Sequence, residues 1–355
     1  MANPSTIPLR SRRSQSTLPS LPQTLPSNSW DSHMHIVDPV RYPLSQNAAY
    51  IPSTHTLNQA LAFESTLGIR NLVLVQPSIY GYDNALLLDG LKQLGPTRAR
   101  GVVCFDAAAI TADGHNDDDC TLANWHRLGV RGVRLNFVSV PQQLDKDELQ
   151  RTLRQYADVI RSYGWVLQLY LPMQALLDVL QIIPELGVKV CLDHFAKPTL
   201  PSSSLLPLNP YALPGFTELV SLLEQGNTYV KISAPYRLSD DPEFKQLGVL
   251  MREMMQAGKE RLVFATDWPH TQFDGMDITP FVKACLGWCA EGDADMADRL
   301  FRRNAEELAI VTRSISTHQF THIIRFIKVQ KNNHSYSPSS PFAVSPKDTC
   351  LQPLL

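Results

Sequence analysis

The chain has 355 residues, 44% of them hydrophobic and 19% charged, with a formal net charge of −2, which suits a soluble globular protein with a large core. That balance leaves no electrostatic footprint for nucleic acid or an acidic membrane, and no apolar run approaches the roughly 18–20 residues that span a bilayer. A small-molecule partner is the expectation, in a cytoplasmic protein whose six scattered cysteines form no C-x-x-C pair and are read as reduced thiols.

Residues 1–29 are rich in Ser and Pro, carry Arg10, Arg12 and Arg13 and have no acidic residue, a composition expected to stay disordered. From residue 30 the pattern becomes eight short aliphatic runs, at 30–37, 71–77, 99–105, 129–137, 164–171, 189–196, 227–236 and 261–269. Helical stretches are expected near 56–67, 82–94, 145–162, 173–186, 215–225, 242–257, 278–290 and 293–310. Eight strand–helix units in about 280 residues predict a single-domain (β/α)8 TIM barrel over 30–313. A doubly wound sheet is the alternative, but no glycine-rich G-x-G-x-x-G turn supports it. Beyond 313 the pattern fails, and 314–355 is expected to be a poorly structured tail.

In WDSHMHIVDP, residues 30–39, strand periodicity of two predicts Asp31, His33, His35 and Val37 on one face. Polar residues also fall late in the later runs: Gln76 and Ser78, Arg134 and Asn136, Gln168 and Tyr170, His194, then Lys231, Ser233 and Arg237, and Asp267. In a barrel of this kind the carboxyl ends of the strands form the active site. Singly, each has a structural explanation, such as a turn cap for Ser78 or an N-cap for Asp267. Together, three histidines, an aspartate and several arginines at one barrel end point to chemistry, because burying them without a task costs several kcal/mol.

The segments DSHMHIVDP, LVLVQPSIYGYDN, GVRGVRLNF, LQLY, LDHFAKP, VKISAPYRLS and FATDWPH, spread over roughly 30–310, resemble the amidohydrolase superfamily, in particular the subgroup of pyrone-dicarboxylate hydrolases and related lactonases. The resemblance implies that His33, His35, His194 and Asp267 surround the reacting centre. It also implies a hydrolase that needs no metal, with Asp267 as general base toward water and the three histidines stabilising the oxyanion. Asp31 or Asp193 is expected to fix the imidazole tautomers. Arg237 with Arg134 or Arg131 would hold a small anionic substrate, a carboxylated lactone, because guanidinium binds carboxylate bidentately. The resemblance adds Tyr50, Ser78 and Tyr170 as further substrate contacts; Lys197 and His270 either touch substrate or cap loops.

The alternative cofactor reading is one Zn²⁺ held by His33, His35 and Asp267, in a zinc-dependent amidohydrolase or decarboxylase acting on a small carboxylic acid. Metal-dependent members of the superfamily carry a fifth-strand histidine, and binuclear ones a fourth-strand lysine; this chain has Tyr170, and Arg134 with Asn136, in those runs, which argues against a binuclear centre. A non-catalytic ligand-binding barrel is the alternative from another class. The oligomeric state is not legible.

Overall fold

The computed structural model describes residues 25–112, 121–139, 145–202 and 207–309. The proposed tail, and all but the end of the proposed N-terminal extension, lie outside the described residues.

Eight parallel strands follow one another around a barrel in chain order: β1 (Trp30–Met34), β2 (Asn71–Val75), β3 (Ala99–Val103), β4 (Val130–Asn136), β5 (Val166–Tyr170), β6 (Val190–Leu192), β7 (Thr228–Ile232) and β8 (Leu262–Phe264). Helices cover the outside: α1 (Leu57–Leu67), α2 (Ala85–Leu94), α3 (Ala107–Ala112), α4 (Thr121–Leu128), α5 (Lys146–Ile160), α6 (Leu176–Val179), α7 (Phe216–Glu224), α8 (Lys245–Gly258), α9 (Thr279–Ala290), α10 (Met296–Asp298) and α11 (Asn304–Ala309). The expected (β/α)8 barrel is therefore the fold.

Local sequence explains the element ends. Thr56 caps α1 reciprocally: its hydroxyl accepts from Gln59 N and its own N–H donates to Gln59 Oε1 at 2.7 Å, while Gly68 at φ 77° ends the helix. Asp145 caps α5, which buries Leu149, Leu153, Tyr156, Ala157 and Ile160 at helical spacing. The predicted helix over 173–186 is broken into short turns, because Pro184 removes a ladder donor. The helices α3 and α4 were not predicted; the polar, acidic run before α4 hid an apolar face of which Leu122 is buried.

Inside the barrel Trp30, Val73, Val75, Val102, Val166, Cys191, Tyr229 and Val263 pack together, with Ala305 and Leu308 of α11 joining them. The larger cluster lies between the sheet and the helices. Seven strand interfaces are parallel ladders, those of β1–β2 and β3–β4 each with one irregularity; the eighth, between β8 and β1, is a seam. It consists of a single bridge, Met34 to Trp268, with Asp267 N donating to His33 O (2.9 Å) and His35 N to Trp268 O (2.7 Å). Asp31 completes it: its Oδ1 accepts from the backbone N–H groups of both His33 and Thr266 at 2.9 Å, and its Oδ2 from the Thr266 hydroxyl. A side chain thus replaces strand pairing where the site residues lie.

Candidate active site

The strand β1 carries an irregularity between Asp31 and Met34, which alters the expected alternation. Trp30 and Ser32 face the barrel interior, Asp31 turns to the seam, and after the irregularity His33 and His35 face inward while Met34 and Ile36 join the outer core. The expectation that Asp31 shares a face with the histidines, or orients one of them, is corrected here: its carboxylate is spent on backbone and Thr266.

Asp193 and His194 would fall on opposite faces of a strand, yet both reach the centre. The strand β6 ends at Leu192, and His194 to Lys197 then run through four consecutive positive φ angles of 51–59°. Asp267 likewise sits at φ 60°. Such conformations cost of order 1–3 kcal/mol each for residues with a Cβ and concentrate at functional sites.

These turns place Asp267 Oδ1 3.8 Å from each of three imidazole nitrogens, the Nε2 atoms of His33, His35 and His194. The other oxygen, Oδ2, accepts from Arg237 Nε at 2.8 Å and from the Tyr236 hydroxyl at 2.7 Å. One carboxylate oxygen is therefore anchored and the other faces the imidazoles without a close partner. Burial pushes the Asp267 carboxyl up, but the Arg237 guanidinium on Oδ2, together with the attraction that any proton on His194, His33 or His35 would add, holds it well below the usual range. It is ionised at any working pH.

The imidazoles are neutral. Burial, then the Lys231 charge, drives His33 well below its ordinary value; burial, then Arg134, takes His35 down to about 4; burial lowers His194. His35 has a defined tautomer: its Nδ1 lies 2.7 Å from the Val75 carbonyl, which can only accept. The proton is on Nδ1, and Nε2 turns a lone pair toward the centre. A neutral His35 thus offers the centre an acceptor, not a donor. His194 Nδ1 bonds the Ser233 hydroxyl at 2.8 Å.

Asp193 organises a charged layer below. Its Oδ2 accepts from Arg134 Nε (3.0 Å) and Gln168 Nε2 (3.2 Å), and its Oδ1 lies 3.3 Å from His33 Nδ1 and 3.5 Å from Lys231 Nζ. Burial raises this carboxyl, but His33, Lys231 and Arg134 hold it well below its ordinary value. Of the two aspartates expected to orient imidazoles, only Asp193 has its carboxylate beside a ring nitrogen, His33 Nδ1.

Above the centre opens a cavity of about 260 Å³ whose wall includes His35, His194, Asp267, Arg134, Arg237, Tyr50, Ser78 and Tyr170. Eight of the ten residues expected to act or bind are thus together on one wall. His33 is the ninth, fully buried one layer deeper. Arg131 is not brought to the site. It is the extra residue of an irregularity in β4, between Val130, paired with Gly101, and Gly132, paired with Val102. Its guanidinium donates to the His126 and Val130 carbonyls at the amino end of the barrel. Lys197 and His270 are absent from the cavity wall; His270 packs edge-on to Phe63 and Tyr236. Tyr236, on Asp267 Oδ2, was missed; its only signal was adjacency to Arg237.

Both arginines keep donors for a ligand. Arg134 uses Nε on Asp193 and lies over the Tyr170 ring, 5.3 Å from its centroid. Arg237 uses Nε on Asp267 and Nη2 on the Thr271 carbonyl, so Nη1 is unspent. Two groups among the described residues could hold a metal ion: His33, His35 and Asp267, and His33, Asp193 and His194. The His33 and His35 Nε2 atoms are 3.2 Å apart. Two ligands of one tetrahedral zinc at about 2.0–2.1 Å would be roughly 3.3 Å apart, so that spacing fits a shared zinc and a direct hydrogen bond alike.

The sequence profile of a family described as Amidohydrolase matches residues 30–308. A 2-pyrone-4,6-dicarboxylate hydrolase of Comamonas testosteroni is 28% identical over 264 residues, 71% of this chain and 80% of the relative. A 4-sulfomuconolactone hydrolase of Hydrogenophaga intermedia is 26% identical over 254 residues, covering 70% and 77%. A Pseudomonas putida structure, proposed to be a 2-pyrone-4,6-dicarboxylic acid hydrolase, superposes with a TM-score of 0.63 at 28% identity, covering 80% of this chain and 98% of that one.

Proposed function

Because this chain belongs to the amidohydrolase family, and so to the hydrolases, we propose that it opens a small anionic lactone, of the pyrone-dicarboxylate or sulfomuconolactone kind, by attack of water on the ring carbonyl. The observation that carries this reading is Asp267 Oδ1, ionised, without a close partner and 3.8 Å from three neutral imidazoles at the cavity floor.

Water held by Asp267 Oδ1 and the His35 Nε2 lone pair gives its proton to Asp267 as its oxygen bonds to the carbonyl carbon. The carbonyl oxygen becomes an oxyanion beside N–H donors from His194 and, beneath it, His33. When the tetrahedral species collapses, the ring C–O bond breaks and the proton on Asp267 returns to the leaving oxygen, giving an open-chain acid. Arg237 and Arg134 hold the substrate's anionic groups on the upper wall, with Tyr50, Ser78 and Tyr170 as hydrogen-bonding partners. The names of the two curated relatives support the substrate class.

The proposed chemistry needs no metal. In the alternative, His33, His35 and Asp267 would hold one zinc, which would supply Lewis acidity to the carbonyl or to water. Turnover of a panel of carboxylated and sulfonated lactones, with and without chelator, decides. Lactone opening that survives chelation is expected; activity toward none of them, or activity lost to chelator and restored by zinc, refutes the proposal.

A further inference from the structure

Lys231 is nearly completely buried in the middle of the barrel, and the chemistry above gives it no task. Its Nζ donates to Gln168 Oε1 at 2.6 Å and lies 3.2 Å from Nδ1 of His33, in hydrogen-bonding geometry. We propose that Lys231 is a positioning residue: by donating to Nδ1 it fixes His33 in the tautomer protonated at Nε2, and so keeps the H-x-H pair from chelating zinc. The inference deepens the metal-free hydrolase reading and rests on it for its role in turnover.

The direction of each hydrogen bond follows from what the partners can do. The Val75 carbonyl only accepts, so His35 is protonated at Nδ1 and its Nε2 is a lone pair. A lysine ammonium only donates, so His33 Nδ1 is a lone pair and Nε2 bears the proton. The two Nε2 atoms, 3.2 Å apart, then face each other as one N–H and one lone pair; at rest the first donates to the second, and in turnover the N–H is shared with the oxyanion and the lone pair with the attacking water. A single directed chain runs from Lys231 through His33 and His35 to Val75.

Asp193 Oδ1, 3.3 Å from the same His33 nitrogen, is the competitor. If it took a proton from Nδ1, the Nε2 lone pairs of both histidines would face the same point, which is the arrangement a metal requires, with the carboxylate behind the imidazole as support. In the structure, Asp193 Oδ1, though 3.3 Å from His33 Nδ1, receives no aligned hydrogen bond, whereas Lys231 Nζ reaches that nitrogen at 3.2 Å in hydrogen-bonding geometry. His33 is thus the member of the pair whose tautomer decides between metal ligand and oxyanion donor, and Lys231 sets it.

The test is the ¹⁵N spectrum of histidine-labelled wild-type protein at neutral pH, with His33 assigned by its loss in His33→Gln, together with zinc content after exposure to zinc and gel filtration. Protonated Nε2, unprotonated Nδ1 and far less than one zinc per chain are expected in the wild type. Lys231→Met should move the proton to Nδ1 and bind zinc at least about tenfold more tightly, the lower end of what second-shell partners contribute. A wild-type His33 protonated at Nδ1, or a folded Lys231→Met that keeps the wild-type tautomer or zinc affinity, overturns the inference. The wild-type spectrum decides by itself if the variant does not fold. Neither readout uses a substrate: an inactive protein with the expected tautomer supports this inference while refuting the lactonase.

Discussion

Arg237 Nε lies 2.8 Å from Asp267 Oδ2, so the guanidinium that the proposed mechanism offers to the substrate would also hold the proposed base in its ionised, oriented form. The arginine therefore has two separable effects. Arg237→Gln should raise KM and lower kcat/KM by about 10²-fold, the loss of a charge-assisted contact worth roughly 1.5–3 kcal/mol. It should also let the Asp267 carboxyl rise. A base whose proton affinity has risen is disabled at a higher pH, so the acid limb of kcat/KM should move upward in the variant. The wild-type profile should stay flat from about pH 8 down to about 5, because Asp267 is held low and His35 titrates only near 4. A wild-type limb near 6.5, the ordinary histidine value, contradicts this assignment.

Asp193 neutralises two buried cations, Arg134 and Lys231. Removing one partner of a buried charge network leaves the others uncompensated, at a cost of about 3–5 kcal/mol. Asp193→Asn should therefore unfold at much lower denaturant concentration with an unchanged m-value. Salt should not restore it, since buried pairs are poorly screened. A loss below about 1 kcal/mol would mean that the layer contributes little to stability.

Glu64 of α1 is buried against Asp31 at the β1–β8 seam. Burial, then the Asp31 charge, pushes its carboxyl well above the ordinary value, and burial takes Asp31 up to about 6. Each holds its proton more tightly folded than unfolded. The associated stability is complete below the ordinary carboxyl values of 3.8 and 4.5. It is lost as pH rises through the folded values, by up to about 1.4 kcal/mol per pH unit for each proton. Glu64→Gln should thus gain Tm relative to wild type progressively from pH 5 to 8. A Tm difference independent of pH would show that Glu64 is already ionised in the fold.

The barrel and most of the site were legible because both rest on local pattern: strand–helix alternation gives the fold, and polar residues late in strands mark the mouth. What escaped depends on where the alternation breaks. Arg131 lies at the start of β4 and Arg134 toward its end, so the two guanidinium groups serve opposite ends of the barrel. The irregularity in β1 turns Asp31 to the seam. His194 reaches the centre only through a left-handed turn that no period predicts. Tyr236 and Lys231 acquire meaning from partners 31 and 198 residues away in sequence, a distance at which one sequence carries no signal.

The most direct test is kcat/KM for a carboxylated lactone, measured in chelator for wild type and Asp267→Asn, with binding of the lactone to each followed separately. The account predicts that wild type keeps its activity in chelator, while Asp267→Asn binds the lactone yet loses at least about 10²-fold in turnover. An Asp267→Asn enzyme within a few-fold of wild type, or a wild type silenced by chelator and revived by zinc, would contradict it.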